Sequence, residues 1–110
     1  MKLLDDHCHL DDFFYKSDIL EVINRARENN VMAIVAGINP DTNRHVLKLV
    51  EKYPDVLYAS LGIYPPDALK KEMENSPDKI ELDYNIDKEI EFIHQNKDKI
   101  VAIGEVGMDF

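Results

Sequence analysis

An α/β fold made of parallel (β/α) units, the first half of a TIM (β/α)8 barrel, is the architecture this sequence predicts. Three observations lead there. Short β-rich runs alternate with amphipathic helical stretches, which argues for right-handed βαβ units and a parallel sheet. The run Val31 to Ile38 is almost continuously apolar, as expected of a strand covered on both faces. The sequence has 110 residues and stops just after its fourth β-rich run, whereas a closed eight-fold barrel needs about 250 residues. An open flavodoxin-like sheet is the alternative on pattern alone.

Met1 to Asp6 reads as the first strand. Ser17 or Asp18 then caps a helix whose apolar stripe is Ile19, Val22, Ile23 and Ala26, spaced at helical intervals. Glu21 stands three residues after Asp18, close to a capping-box spacing. After the second strand, Val31 to Ile38, Asn39 caps a second helix with Pro40 at its first position. Its expected buried stripe is Val46, Leu47, Val50 and Tyr53, and Pro54 ends it. Val56 to Leu61 forms the third strand. The stretch from Pro65 to Tyr84 is the least regular, with a short helix from Pro66-Asp67 through Met73 and a turn at Ser76-Pro77-Asp78. Asn85 or Asp87 caps the next helix, which carries Ile86, Ile90 and Ile93 on one face. Ile100 to Glu105 completes the set as the fourth strand.

Length and composition fit a single domain over residues 1–110, with 45% hydrophobic residues for a core. No apolar stretch approaches the roughly 18 residues of a membrane span, so a membrane is not an expected partner. The amino terminus has one Lys followed by acidic residues, the wrong pattern for a signal peptide, and a cytoplasmic location is the expectation. Cys8 is the only cysteine and so has no internal disulfide partner. Net charge is −9, from 22 acidic against 13 basic residues. That field repels a phosphate backbone, so any nucleic-acid chemistry here needs bound cations to supply local positive charge.

The candidate chemistry sits at the ends of the first and last strands. In a regular strand alternate side chains share a face, so Asp5, His7 and His9 point one way and Asp6 and Cys8 the other. Two imidazoles so placed, at the strand end where α/β folds build their sites, can grip one divalent cation. Two hydrogen-bonded structural histidines are the plainer alternative. Asp5, on the same face but deeper, is expected to orient a ring N–H rather than to bind an ion. Cys8 faces the helices as a small buried hydrophobe. Glu105, at the end of an apolar run and flanked by Gly104 and Gly107, is costly to bury unless a cation compensates it; a solvated carboxylate just past the strand is the alternative.

The segments Leu4-Asp5-Asp6-His7-Cys8-His9-Leu10-Asp11, Gly62-Ile63-Tyr64-Pro65 and Gly104-Glu105-Val106-Gly107-Met108-Asp109-Phe110 resemble the TatD-like metal-dependent deoxyribonucleases. They fall in that family's order and strand context, and the match spans the chain as the amino-terminal half of such a protein. The resemblance implies an amidohydrolase-type TIM barrel holding two divalent cations (zinc, manganese or magnesium) and hydrolysing phosphodiester bonds in DNA, in some members as 3′–5′ exonucleases. Carried over by position, His7 and His9 hold one metal and Glu105 bridges both, which makes Glu105 the catalytic candidate. Asp109 lies near the site with no assigned role. Many relatives have a histidine where this chain has Tyr64, whose phenol is a candidate substrate contact but a poor metal ligand. The family draws further ligands from strands five, six and eight. His45 and His94 do not replace them, since each falls within an expected helix.

The resemblance therefore implies an active enzyme only as a full barrel, with little activity in this half alone. The expected partners are DNA or another phosphoester substrate, together with a missing barrel half or a second copy of the chain. Two other readings compete. One is a different amidohydrolase-superfamily hydrolase, although those commonly carry a carboxylated lysine where Glu105 stands. The other is a non-catalytic interaction module that binds through an exposed sheet edge. Bound metal separates a catalytic site from a pure interaction module.

Overall fold

The computed structural model describes residues 1–11, 15–72, 74–75, 77 and 83–107. Strand β1 (Leu3–Cys8) is followed by α1 (Ile19–Glu28), β2 (Val31–Ala36), α2 (Pro40–Lys52), β3 (Leu57–Ile63), α3 (Pro66–Glu72), α4 (Ile86–Gln95) and β4 (Ala102–Val106). The strands are parallel and lie in sequence order, β1-β2-β3-β4. That order has no point at which the winding reverses, so each right-handed crossover places its helix on the same side of the sheet. A flavodoxin-like sheet needs such a reversal and is set aside. The turn expected at Ser76-Pro77-Asp78 falls largely outside the described residues, as does Asp109.

Strand limits follow the hydrogen-bond ladder rather than the apolar runs. β1 ends at Cys8 instead of Asp6, and β2 ends at Ala36 instead of Ile38. β3 reaches Ile63 and β4 reaches Val106, each past the expected end. The core lies between sheet and helices, where Ile23 of α1, Val46 of α2 and Ile93 of α4 pack with Ala33, Val35, Leu57, Ala59 and Leu61. β2 is covered on that side only, and Met32 and Ile34 on its other face stay partly open, which corrects the expectation of a strand buried on both faces.

Capping chemistry explains two helix starts. The Asn39 side chain accepts from the Thr42 N–H at 2.9 Å, and the Thr42 hydroxyl accepts from the Asn39 N–H at 3.0 Å, a reciprocal box ahead of Pro40. Asn85 accepts from the Lys88 N–H at 3.0 Å and is the cap of α4, rather than Asp87. Asp18 occupies the cap position of α1 without a side-chain cap bond, so the box with Glu21 does not form.

Helix α4 is rotated relative to the sequence expectation. Its inward residues are Glu89 and Ile93, whereas Ile86 and Ile90 lie outward, Ile90 being 55% exposed. The reason is polar. Glu89, only 2% exposed, receives the Arg44 guanidinium at 3.0 and 3.1 Å and the Asn43 amide at 3.0 Å. A buried carboxylate so paired and hydrogen-bonded is tolerated where an isolated one is not.

Two glycines permit close approach. A Cβ on Gly37 would lie 2.9 Å from the Asn43 Cα, and one on Gly62 would overlap the Gly104–Glu105 backbone. Helix α2 and strand β4 therefore both press against main chain at these positions. Among the described residues β1 and β4 each keep one edge without a strand partner. Leu3, Leu4, Ile103 and Val106 on those strands are exposed. No helix of the described residues is long and apolar enough to cross a membrane.

Candidate metal centre

The central pair β2–β3 is in regular register, but both strands that carry the candidate ligands are interrupted. Asp5 pairs with Ala33 and Cys8 with Val35, so three steps along β1 match two along β2. Ile103 pairs with Leu61 and Val106 with Ile63, so β4 likewise gains a residue on β3. Each irregularity is a local bulge, a device that re-aims side chains beside functional sites. His7 lies in the first and Glu105 in the second, next to a cis Gly104–Glu105 peptide.

The three side chains converge. His7 Nε2 is 2.6 Å and His9 Nε2 3.5 Å from the same Glu105 oxygen, Oε1. The imidazoles meet edge to face, with ring centres 5.0 Å apart. His9 Nδ1 lies 3.0 Å from the Ala36 carbonyl, which only accepts, so Nδ1 carries the proton and donates it. In the neutral ring Nε2 is then the lone-pair nitrogen, turned towards Glu105. That arrangement, with one ring nitrogen tied to a carbonyl and the other left to a cation, is the usual way a protein fixes a metal-binding histidine. Glu105 is 27% exposed at its side chain and the two imidazoles more so, which leaves the cluster open on one side.

Other expected residues fare differently. Asp5 does not orient an imidazole; its Oδ1 accepts from the His7 backbone N–H at 3.1 Å. The bulge is the cause, since it puts Asp5 beside Ala33 and Cys8 beside Val35, both on the helix side of β2. Cys8 donates to the Ile34 carbonyl at 3.4 Å and packs against the core. Burial, and then the nearby Asp5 charge, push its thiol up to about 11, and its Sγ, engaged with the Ile34 carbonyl, lies outside the group formed by His7, His9 and Glu105. Cys8→Ala is accordingly expected to leave zinc affinity unchanged by isothermal titration calorimetry.

Tyr64 stands just past β3, its backbone N–H held by the Ile38 carbonyl at 2.9 Å, and its side chain is half-buried. His45 and His94 are exposed on α2 and α4, away from the cluster. Sequence reasoning missed Ser60, Asn43 and the carbonyls of Ala36 and Gly37. A lone serine inside the apolar run of β3 was the available signal for Ser60. For Asn43 it was the helical spacing to Val46, Val50 and Tyr53.

The residues present fit a divalent cation. Ligand atoms of His7, His9 and Glu105 all lie within 4.8 Å of one another, the one such group found among the described residues. Two imidazole nitrogens and a carboxylate oxygen suit zinc, manganese and related ions. The surplus of negative charge over the chain adds to the attraction.

Comparison with known proteins identifies the family. The family model for TatD related DNase matches residues 4–110. Human deoxyribonuclease TATDN3 is 33% identical over 109 residues, covering 98% of this chain and 38% of the human protein. YabD of Bacillus subtilis, an uncharacterized metal-dependent hydrolase, is 36% identical over 109 residues, again covering 98% of this chain and 38% of its own length. The crystal structure of YjjV, a TatD homologue from Escherichia coli K12, superposes with a TM-score of 0.69 at 30% identity, covering 97% of this chain and 38% of that one. The chain thus spans well under half the length of the relatives it matches, and its four parallel strands correspond to the first half of their barrel. With the family model spanning nearly every residue and the fold in agreement, this chain belongs to the TatD-related DNase family.

Proposed function

We propose that this chain supplies the first ligands of a metal-dependent phosphodiester hydrolase acting on DNA, with 3′–5′ exonuclease action as the narrower form of that reading. The observation that carries it is the meeting of His7, His9 and Glu105, from opposite ends of the sequence, around one carboxylate oxygen. The names deoxyribonuclease and metal-dependent hydrolase among relatives support it.

In this reading His7 and His9 each present a ring nitrogen to one ion, and Ala36 keeps His9 in the tautomer that allows it. Glu105, with two carboxylate oxygens, is the residue that would be shared between a pair of ions. Two bound divalent cations (zinc, manganese or magnesium) supply concentrated positive charge to a phosphate and lower the pKa of water. Tyr64 donates a hydrogen bond to a phosphate oxygen. Since the chain itself is strongly acidic, the substrate phosphate is drawn by the cations and not by a basic surface. Residues 1–110 act as one unit of the barrel. Its remaining ligands come from a second half, whether further chain or another copy, that pairs along the β1 and β4 edges. The location that goes with this reading is cytoplasmic, where a free thiol such as Cys8 stays reduced.

The test is degradation of single-stranded DNA by the complete reading frame that carries this chain. Cleavage is expected with manganese, magnesium or zinc, is lost on adding EDTA, and returns with excess cation. Hydrolysis of small phosphoesters without cleavage of DNA would replace the nuclease reading. Absence of hydrolysis with all three cations would sink both.

A further inference from the structure

The backbone that carries Glu105 is clamped from three directions by groups that bind no ion in the reading above. The Gly104 carbonyl accepts from Ser60 Oγ at 3.0 Å. The Glu105 N–H donates to the Gly37 carbonyl at 3.2 Å. Gly62 lies flush against the same peptide, where any Cβ would overlap it. Gly62 is itself held on both its polar groups by one side chain, for the Asn43 amide donates to its carbonyl at 2.9 Å and accepts from its N–H at 3.2 Å. Asn43 is fully buried, and its backbone also abuts Gly37. Its second amide proton goes to Glu89, so the orientation of the amide is fixed from behind.

We infer that Ser60 and Asn43 are positioning residues for Glu105, holding its peptide where the carboxylate meets both imidazoles. A leucine at position 43 would satisfy packing but neither backbone group, whereas the amide accepts from the Gly62 N–H, donates to the Gly62 carbonyl and keeps a second proton for Glu89. Burying that amide is costly unless each of its hydrogen bonds is made, and each one is. The geometry it protects is narrow. His7 and His9 address the same oxygen at 2.6 and 3.5 Å, so a displacement of the Gly104–Glu105 peptide by about 1 Å separates the ligand set. Ser60 acts from the inner face of the sheet and Asn43 from the helix side, so together they restrain the peptide from both.

The inference rests on the proposed metal centre for its purpose but not for its test. In the metal-free full chain, Ser60→Ala is expected to move the His7 and His9 imidazole NMR resonances towards those of free histidine, as the contact with Glu105 loosens. With zinc added, affinity by calorimetry falls about tenfold, the loss typical of a group that orients a ligand. Ser60→Thr, which keeps the hydroxyl, restores resonances and affinity, while a purely structural role would not separate the two variants. Asn43→Ala shifts the same resonances further, with a lower melting temperature. Ser60→Ala removes a single oxygen and keeps the result independent of folding. Imidazole resonances in Ser60→Ala that coincide with wild type overturn the inference. Moved resonances in a protein that takes up no zinc uphold the positioning role, and it is the metal reading that falls.

Discussion

Replacing Glu105 by Ala is expected to abolish divalent-cation binding, and His9→Ala to come close to doing so. Losing a group that merely orients a ligand already costs about 10–100-fold in metal affinity, so removing a ligand is expected to cost at least about a hundredfold. Glu105 has the larger effect because both imidazoles address its Oε1. His9→Ala in addition strips the Ala36 carbonyl of its ring N–H donor. His45→Ala and His94→Ala are the matched controls, since those exposed helical histidines stand apart from the cluster and are expected to bind zinc as wild type does. Calorimetric titration of the metal-free chain measures all four. Equal losses in the controls and in His9→Ala would show that zinc binds imidazoles at large, and the site would have no standing.

The largest effect on stability is expected from Arg44→Ala. Glu89 is 2% exposed, and its main counter-charge is the Arg44 guanidinium, which also lies 3.9 Å above the Phe92 ring. Removing one partner of a buried pair leaves an uncompensated charge and typically costs 3–5 kcal/mol; with Arg44 45% exposed and Asn43 still donating, the lower end applies, about 3 kcal/mol. For a small domain that corresponds to a fall in melting temperature of roughly 10–20 °C. Adding Glu89→Gln to Arg44→Ala removes the stranded charge and is expected to recover more than half of the loss, measured by urea unfolding. If the double variant is no more stable than Arg44→Ala, the cost lies in the lost stacking on Phe92 rather than in the buried carboxylate.

The fold was largely legible because alternation of β-rich and helical segments, with Asn39-Pro40 opening α2, is written in local chemistry. The inward face of α4 was not legible. An isoleucine pattern points to Ile86 and Ile90, and the choice of Glu89 instead depends on Arg44 and Asn43, which are remote in sequence. The ends of the two site strands were half legible. His7, His9 and Glu105 could be picked out by residue type and strand position, and the structure brings them together. A simple two-residue period, however, put Asp5 on the imidazole face, and the bulge between Asp5 and Cys8 undoes that arithmetic. Nothing in a single sequence announces an extra residue in a ladder. The polar supports, Ser60 and Asn43, left only a faint trace, as lone polar positions on otherwise apolar stripes.

The convergence of β1 with β4 also bears on biogenesis. A cation held by the proposed site would tie β1 to β4 across the intervening β/α units. On that reading a nascent chain on the ribosome holds His7 and His9 alone until β4 emerges, and gains Glu105 only as the four-stranded sheet zips up. Loading would then wait for all four strands, and without the cation the edge strands β1 and β4 would lack that tie, leaving open edges for a chaperone or protease to meet.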